Sequence, residues 1–251
     1  MALLQRIRQI QKLVENNKLL IILGSKSPRR NQLLKTNILA DMVPFAVIAS
    51  DFKEDFDTSK YHGKAKDLVR EYAKLKALDV KEKYISGLKQ NQKEVPAKLV
   101  LIIGCDTVVE QDGVILEKPT CESEAKARLL SYSNRSHSVI SGVSLLCLGC
   151  SSDDAGVPIV NLIHEETFSN ETKVTFAELN EELVEAYIQT GEPMDKAGGY
   201  GIQGFAASMI RMVEGCYYNV VGLPVQQTSA LAYKALLPYL DKLDPESGER
   251  N

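Results

Sequence analysis

The chain of 251 residues contains only three histidines, and their positions exclude two common kinds of site. His62, His137 and His164 lie far apart and form no metal-ligand spacing such as HExxH. No Ser-His or Cys-His arrangement stands out that would activate a nucleophile. The sequence therefore favours neither a histidine metal centre nor covalent catalysis.

Cysteine is also sparse, and its five copies are scattered and odd in number. Cys147 and Cys150 form a CxxC motif, as zinc ribbons and redox sites do, but the sequence has no second CxxC. A strand end followed by a loop is also a poor setting for a thioredoxin-like site. We interpret the cysteines as core or surface thiols. With no signal-peptide pattern and no long apolar span, they indicate a reducing, cytoplasmic compartment and no membrane segment.

The chain has no excess of positive charge. Its 30 basic and 33 acidic residues give a formal net charge of -3 and a pI near 5.8. This balance argues against binding to a nucleic-acid polymer or a membrane surface, so any anion site must be a local concentration of cations. With 44% hydrophobic residues, the chain can form one large α/β domain or two closely joined lobes.

Apolar runs alternate with helical patterns, which indicates an α/β fold. The predicted strands are 19–23, 45–50, 99–104, 137–148 and 164–176, with a β-rich segment ending at Val221. The predicted helices are 28–36, 64–83, 123–131, 181–188 and one at the C-terminus, and 86–97 and 150–158 are predicted loops. The first 16 residues predict a docked amphipathic helix. A mitochondrial transit peptide is the weaker alternative, because the segment lacks serine and contains Glu15.

The stretch GSKSPRRNQLL departs from the usual start of a helix. Ser27 suits the N-cap and Pro28 the first helical position, which leaves Arg29 and Arg30 at the next two. The helix dipole disfavours each cation there by about 0.3–1 kcal/mol. Together with the free N–H groups and the hydroxyl of Ser25, these side chains predict an anion receptor. The alternative is that both arginines point into water and pair with surface acids.

Lys76 interrupts an apolar stripe. A period of 3.6 residues places it at the centre of the stripe formed by Ala65, Val69, Tyr72, Ala73 and Val80. A lysine aimed at the core needs an anionic partner or a water-filled cleft. The alternative is a side chain that extends along the edge of the core towards solvent.

Asp106 and Thr107 follow a buried apolar strand, where a carboxylate can bind Mg²⁺ or orient a water. A turn at Gln111–Gly113 is predicted to return Lys118 to the same end of the sheet. An isolated aspartate is more often a turn or cap residue, but the nearby cations favour a phosphate and a metal ion here.

The segment GEPMDKAGGYGIQG contains the spacing GxGxxG, yet it does not fit a dinucleotide fingerprint. No strand immediately precedes it, and no acidic residue ends a second strand about 20 residues later. No GxxxxGK[ST] motif occurs either. The segment instead predicts a tight ligand-binding loop that carries Asp195, Lys196 and Gln203. These features together suggest metal-assisted attack of water on a phosphoanhydride, with cations stabilising the developing charge.

Five motifs occur in order and together resemble the Maf-like nucleoside triphosphate pyrophosphatases: GSKSPRRNQLL, GCDTVV, ILEKP, YIQTGEPMDKAGGYGIQGFAA and YYNVVGLP. The resemblance implies a pyrophosphatase domain at 19–240, after an N-terminal extension (1–18) and before a tail (241–251). It implies a two-lobed α/β fold of the inosine-triphosphate-pyrophosphatase type, with an elongated mixed sheet and a cleft between lobes. The implied reaction is hydrolysis of a nucleoside triphosphate to the monophosphate and pyrophosphate with Mg²⁺ or Mn²⁺, and the implied assembly is a homodimer.

The resemblance also implies residue roles. Asp106 resembles the proton acceptor and a metal carboxylate, and Glu54 a second metal carboxylate, with Asp51, Asp55 and Asp57 as rivals. The implied phosphate contacts are Ser25, Arg29, Arg30, Lys76, Lys118 and Lys196, of which Lys76 and Lys118 are also implied to be catalytic.

The implied selectivity residues are Arg29, Thr107 and Gln203, because the dTTP/UTP branch carries the DT pair and the GIQG loop. A branch that acts on 7-methyl-GTP replaces DT with an SDQ-type sequence and lacks that loop. The second alternative is a nucleotide-binding regulator of cell division with little catalysis, since the family has been associated with septum formation.

Overall fold

The computed structural model describes residues 2–90 and 95–243. Its framework is a seven-stranded mixed sheet in the order β2-β1-β3-β5-β6-β7, and β4 pairs with β3 outside this path. The strands are β1 Leu19–Gly24, β2 Ala46–Val47, β3 Leu99–Gln111, β4 Val114–Leu116, β5 Ser136–Ser152, β6 Pro158–Phe176 and β7 Ile210–Glu214. The α-helices are α1 Ala2–Glu15, α2 Pro28–Gln32, α3 Ala65–Gln90, α4 Glu122–Ser131, α5 Glu181–Gln189, α6 Tyr217–Val221 and α7 Val225–Leu243.

The continuous apolar strands β1 and β3 are covered on both faces, as such runs indicate. Successive residues of β1 alternate between two cores: Ile22 packs in the core that contains residues of α3, and Ile21 and Leu23 pack in the other. The second core also includes Ile7 and Leu13 of α1, so the N-terminal helix is docked on the body. No helix in the described part of the chain is long and apolar enough to cross a membrane.

The sheet connects two lobes. β1 runs parallel to β2 and β3, whereas β3, β5, β6 and β7 pair antiparallel. Beyond Asp106, β3 and β5 enter a separate core built around Tyr132, Phe176 and Tyr187. The predicted two-lobed α/β fold with an elongated mixed sheet is therefore confirmed.

Helix α3 lies very close to the sheet at two glycines. A Cβ on Gly104 of β3 would collide with the backbone of Ala73, and one on Gly142 of β5 would collide with the backbone of Val69. Only glycine permits this approach at both points. The contact fixes the position of the helix turn that follows, which carries Lys76.

The CxxC cysteines point to opposite sides of β5. Cys147 packs in the same core as α1, and Cys150 packs in the core under α3. Both thiols are buried, and burial raises the pKa of Cys147 to about 12 and that of Cys150 to about 11. They are core thiols, in agreement with the sequence interpretation.

Several predicted boundaries were wrong. Residues 45–50 form only the two-residue strand β2, and helix α3 continues to Gln90, so 86–90 are helical and not loop. Residues 91–94 of that predicted loop lie outside the described residues, as do 244–251 of the predicted tail. β5 and β6 extend to a pairing of Ser152 with Pro158, because ladder hydrogen bonds continue through polar residues. The segment 217–221, predicted within a β-rich region, is helix α6.

Candidate active site

All ten predicted site residues line one cleft of about 480 Å³ between the lobes. They come from β1 and α2, the loop after β2, α3, β3, the segment after β4, and the glycine-rich loop. The predicted hairpin is present, with Gln111 paired to Val114, and it returns Lys118 to the cleft. The topology thus brings together side chains that are up to 178 positions apart in the sequence, from Ser25 to Gln203.

The deepest part of the cleft holds an ion triad. Lys76 Nζ lies 2.7 Å from Asp106 Oδ1 and 2.7 Å from Glu54 Oε1. Lys76 is 8% exposed and Asp106 is 4% exposed, so their pairing is shielded from solvent. The buried lysine has found the anionic partner that its helix position required. One ammonium faces two carboxylates, which leaves a local excess of negative charge.

This excess fits a divalent cation. Asp106 Oδ2 is buried and has no hydrogen-bond partner among the described residues. The described residues contain no group of three or more acidic, histidine or cysteine ligands that would form an all-protein cage. Mg²⁺ typically uses one or two carboxylates and completes its coordination with water and substrate phosphates. Asp106 and Glu54 match that pattern.

The loop that carries Glu54 is anchored by aromatic side chains. Phe52 and Phe56 flank it and pack edge-on against Tyr72 of α3, with ring centroids 5.8 and 5.0 Å apart. The backbone N–H of Phe56 donates to the Tyr72 hydroxyl at 3.2 Å. Among the rival acids, Asp51 pairs with Lys83 and Asp57 caps a short 3₁₀ helix through Ser59, while Asp55 does not line the cleft. Glu54 is the one that reaches Lys76.

The SPRR segment forms the predicted cap but uses its two arginines differently. Ser27 accepts from the backbone N–H of Arg30 at 3.4 Å, and Pro28 begins α2. Arg30 donates to the Gly222 carbonyl, the Cys105 carbonyl, the Ser25 hydroxyl and the Thr107 hydroxyl, at 2.9, 3.2, 3.3 and 2.9 Å. Four of its five N–H donors therefore bind protein, and one remains for a ligand.

The cleft thus has two parts, which we call the floor and the rim. The floor consists of Arg30, Lys76, Asp106 and Thr107, and the side chain of each makes at least one hydrogen bond to protein. The rim consists of Arg29, Lys118 and Gln203, whose side chains make no hydrogen bond or ion pair within the described residues. Lys118 and Gln203 are exposed, and Arg29 is half-buried.

The glycine-rich loop is held by Glu192, which sequence reasoning missed. Its carboxylate accepts from the Tyr187 hydroxyl at 3.1 Å and from the Phe205 N–H at 3.3 Å, and a Cβ on Gly204 would collide with it. Lys196 Nζ donates to the Glu192 carbonyl at 2.9 Å and to Asp195 Oδ1 at 2.6 Å. That lysine bond lowers the pKa of Asp195, with a smaller contribution from Arg29.

A buried aromatic cluster supports the loop from below. Tyr132 donates to the Gly198 carbonyl at 2.9 Å, and the Tyr200 hydroxyl lies 2.7 Å from His137 Nε2. Burial lowers the pKa of His137 to about 3, so the ring is neutral at physiological pH. These three residues also escaped sequence reasoning, since nothing in their local pattern distinguishes them from core residues.

Comparison with known proteins agrees with this geometry. A family model described as Maf-like protein matches residues 20–235. The chain belongs to the Maf-like family. The Maf-like relatives include a dTTP/UTP pyrophosphatase of Clostridium perfringens (strain SM101 / Type A), 38% identical over 219 residues, which cover 87% of this chain and 96% of the relative.

Two further relatives show how far the likeness extends. A dTTP/UTP pyrophosphatase of Halalkalibacterium halodurans is 39% identical over 208 residues, which cover 83% of this chain and 92% of the relative. A human protein named "Probable bifunctional dTTP/UTP pyrophosphatase/methyltransferase protein" is 38% identical over 218 residues, 87% of this chain but only 32% of that larger protein. The Maf-like domain therefore occurs both as nearly a whole protein and as part of a longer one.

Proposed function

We propose that this chain hydrolyses nucleoside triphosphates, with dTTP and UTP or modified pyrimidine nucleotides as substrates, to the monophosphate and pyrophosphate. The observation that carries the proposal is the buried Lys76–Asp106 pair beneath a cleft whose other walls supply Arg29, Lys118 and Lys196. The names of the Maf-like relatives support the same reaction.

In the proposed reaction, Asp106 accepts a proton from a water whose oxygen bonds to the α-phosphorus. The bond from that phosphorus to the α–β bridging oxygen breaks, and pyrophosphate leaves with its electron pair. Lys76 holds Asp106 through Oδ1, so the carboxylate is oriented before substrate binds. A divalent cation held by Asp106 and Glu54 would supply Lewis-acid stabilisation of the phosphate oxygens.

The polar residues around the cleft have two proposed roles, phosphate binding and nucleotide selection. Arg29, Lys118 and Lys196 bind the phosphates, because an anion with several charges attracts unpaired or loop-held cations. The Ser25 hydroxyl, together with the remaining N–H of Arg30 on the floor, contacts the same anion. The proposed selectivity residues are Arg29, Thr107 and Gln203. Gln203 offers both a donor and an acceptor to a pyrimidine edge.

A panel of nucleoside triphosphates with Mg²⁺ or Mn²⁺ tests the proposal. We expect pyrophosphate and a monophosphate as products, with pyrimidine nucleotides preferred and a chelator abolishing turnover. Release of orthophosphate would contradict the reaction. Activity on 7-methyl-GTP with none on pyrimidines would contradict the substrate class.

We also propose a cytoplasmic location and a homodimer. Cysteine thiols that pair with no other cysteine within residues 2–90 and 95–243 support a reducing compartment. Light scattering after size exclusion tests the dimer, and a mass near that of one chain would contradict it.

A further inference from the structure

A chain of hydrogen-bonded polar side chains runs from the cleft floor into the protein. Arg30 donates to the Thr107 hydroxyl at 2.9 Å, and that hydroxyl lies 2.9 Å from the Ser141 hydroxyl. Ser141 Oγ donates to the backbone carbonyl of Asn219 at 3.1 Å. Ser141 and Asn219 have no exposed surface, and neither lines the cleft.

In this series of hydrogen bonds every donor lies on the side of Arg30 and every acceptor on the side of Asn219. A serine hydroxyl has a single proton, and that of Ser141 is given to the Asn219 carbonyl. The proton between the two hydroxyls must therefore come from Thr107, whose oxygen accepts from Arg30. Hydrogen bonds aligned in this way strengthen one another in a buried environment. The hydroxyl proton of Thr107 is thus committed to Ser141, so the selective contact proposed for Thr107 would use its remaining oxygen lone pair or its methyl group.

Asn219, at the inner end of this hydrogen-bond series, is itself held in place. Its amide Nδ2 donates to the Val139 carbonyl at 2.9 Å and to the Thr172 hydroxyl at 3.1 Å, which ties α6 to β5 and β6. Helix α6 ends next to Gly222, whose carbonyl accepts from Arg30 Nε at 2.9 Å. The guanidinium is therefore held on two sides by the same short segment.

We propose that Ser141 and Asn219 are positioning residues that hold the Arg30 guanidinium, and through it the Ser25 hydroxyl, towards the phosphate end of the substrate. The inference rests on the proposed function for its substrate. It adds that the geometry of the phosphate site depends on groups that never touch the nucleotide. Because these groups act at the phosphates, their loss should weaken the binding of all nucleotides to the same extent.

A matched pair of serines tests this role. Ser144→Ala is the control for Ser141→Ala, because Ser144 lies on the same strand, has no exposed surface, and bonds through its hydroxyl to Thr167 at 2.9 Å, outside the cleft. We expect Ser141→Ala to lose about tenfold in kcat/KM and in affinity for inorganic tripolyphosphate measured by calorimetry. The ratio of kcat/KM between two nucleotides should not change. Ser144→Ala should lose similar thermal stability with less than about twofold change in either quantity.

Equal effects of the two substitutions, or wild-type tripolyphosphate affinity in folded Ser141→Ala, would overturn the inference. Thr107→Val breaks the next bond of the chain and should weaken tripolyphosphate binding, and Thr107→Ser should recover it. Failure of Thr107→Ser to recover tripolyphosphate binding would also count against the proposed hydrogen-bond series. If the unaltered protein binds tripolyphosphate but hydrolyses no nucleotide, the proposed function fails while the affinity comparison still tests the network.

Discussion

The floor and the rim of the cleft differ in how far their geometry is determined before substrate binds. Arg30 and Arg29 are consecutive residues, yet the Arg30 side chain uses four N–H donors on protein and the Arg29 side chain uses none on any residue that the structure describes. Lys76 is equally constrained by its two carboxylates, whereas Lys118 is exposed.

The difference separates two demands on the site. Groups that act on developing charge work best when they are already oriented, because no reorganisation is then needed during reaction. Groups that discriminate between ligands gain from being free to bond, since an unpaired amide or cation loses only water contacts. We therefore expect floor substitutions to lower kcat and rim substitutions to change KM and selectivity.

The largest effect is expected at Asp106. Asp106→Asn removes the proposed proton acceptor and should lower kcat by about a thousandfold, within the range typical of general-base loss. Asp112→Asn is the control, because this exposed aspartate pairs with Arg135 in a turn that asparagine also favours. Steady-state kinetics on dTTP measures both. A loss below tenfold in Asp106→Asn would remove it from the proposed role.

Lys76→Met should produce the next largest effect. The substitution leaves the buried Asp106 carboxylate without its cation, so we expect about a hundredfold loss of kcat. We also expect a destabilisation of about 3–5 kcal/mol measured by urea unfolding. Lys74→Met, two residues away, removes only an exposed pair with Glu165 and should cost less than about 1 kcal/mol. Similar kinetics for the two variants would contradict the distinction between floor and surface.

A rim substitution should act on choice of nucleotide. Gln203→Ala is expected to change the ratio of kcat/KM for dTTP over a purine triphosphate by about tenfold, with kcat on the best substrate nearly unchanged. The control is Gln189→Ala, at the exposed end of α5 and outside the cleft. A uniform loss on every nucleotide would show that Gln203 supports the loop and does not select the base.

The last prediction concerns the dependence of stability on pH and leaves activity at neutral pH unchanged. The pKa of His137 falls from an ordinary value near 6.5 in the unfolded chain to about 3 in the folded protein. The unfolded state therefore binds the extra proton first, and stability falls as pH drops below about 6.5. We expect a loss of ~2 kcal/mol between pH 7 and pH 5, measured by urea unfolding. His137→Gln removes the titrating ring, so this pH dependence should disappear in that variant.

Much of the site could be predicted because several of its residues occupy positions where their residue type is usually unfavourable. Arg30 opposes a helix dipole and Lys76 interrupts an apolar stripe, and each required partners that the fold then supplied. The sequence predicted that Lys76 needs an anionic partner or a water-filled cleft, but it did not identify Asp106 as that partner. The identity depends on how α3 crosses β3, which the local sequence does not determine.

The rest depends on contacts between distant positions. Ser141 bonds to Asn219 across 78 positions, and both residue types are ordinary within their segments. Glu192 appears locally as a helix-start acid, and its role arises only when Tyr187 and the Phe205 N–H converge on it. The lengths of β5 and β6 were underestimated for the same reason, because pairing with a neighbour outweighs the weak strand preference of their polar ends.

The close approach of α3 to Gly104 and Gly142 limits where this enzyme can tolerate insertions. One residue inserted between Val69 and Lys76 would rotate everything after it by about 100°, which would turn the ammonium away from Asp106. The same insertion after Leu88, the last buried residue of α3, leaves Lys76 in register. We therefore expect relatives with the same chemistry to vary in length beyond the end of this helix. They should keep the lysine seven positions after the residue that meets the glycine of β5, as Lys76 follows Val69 here.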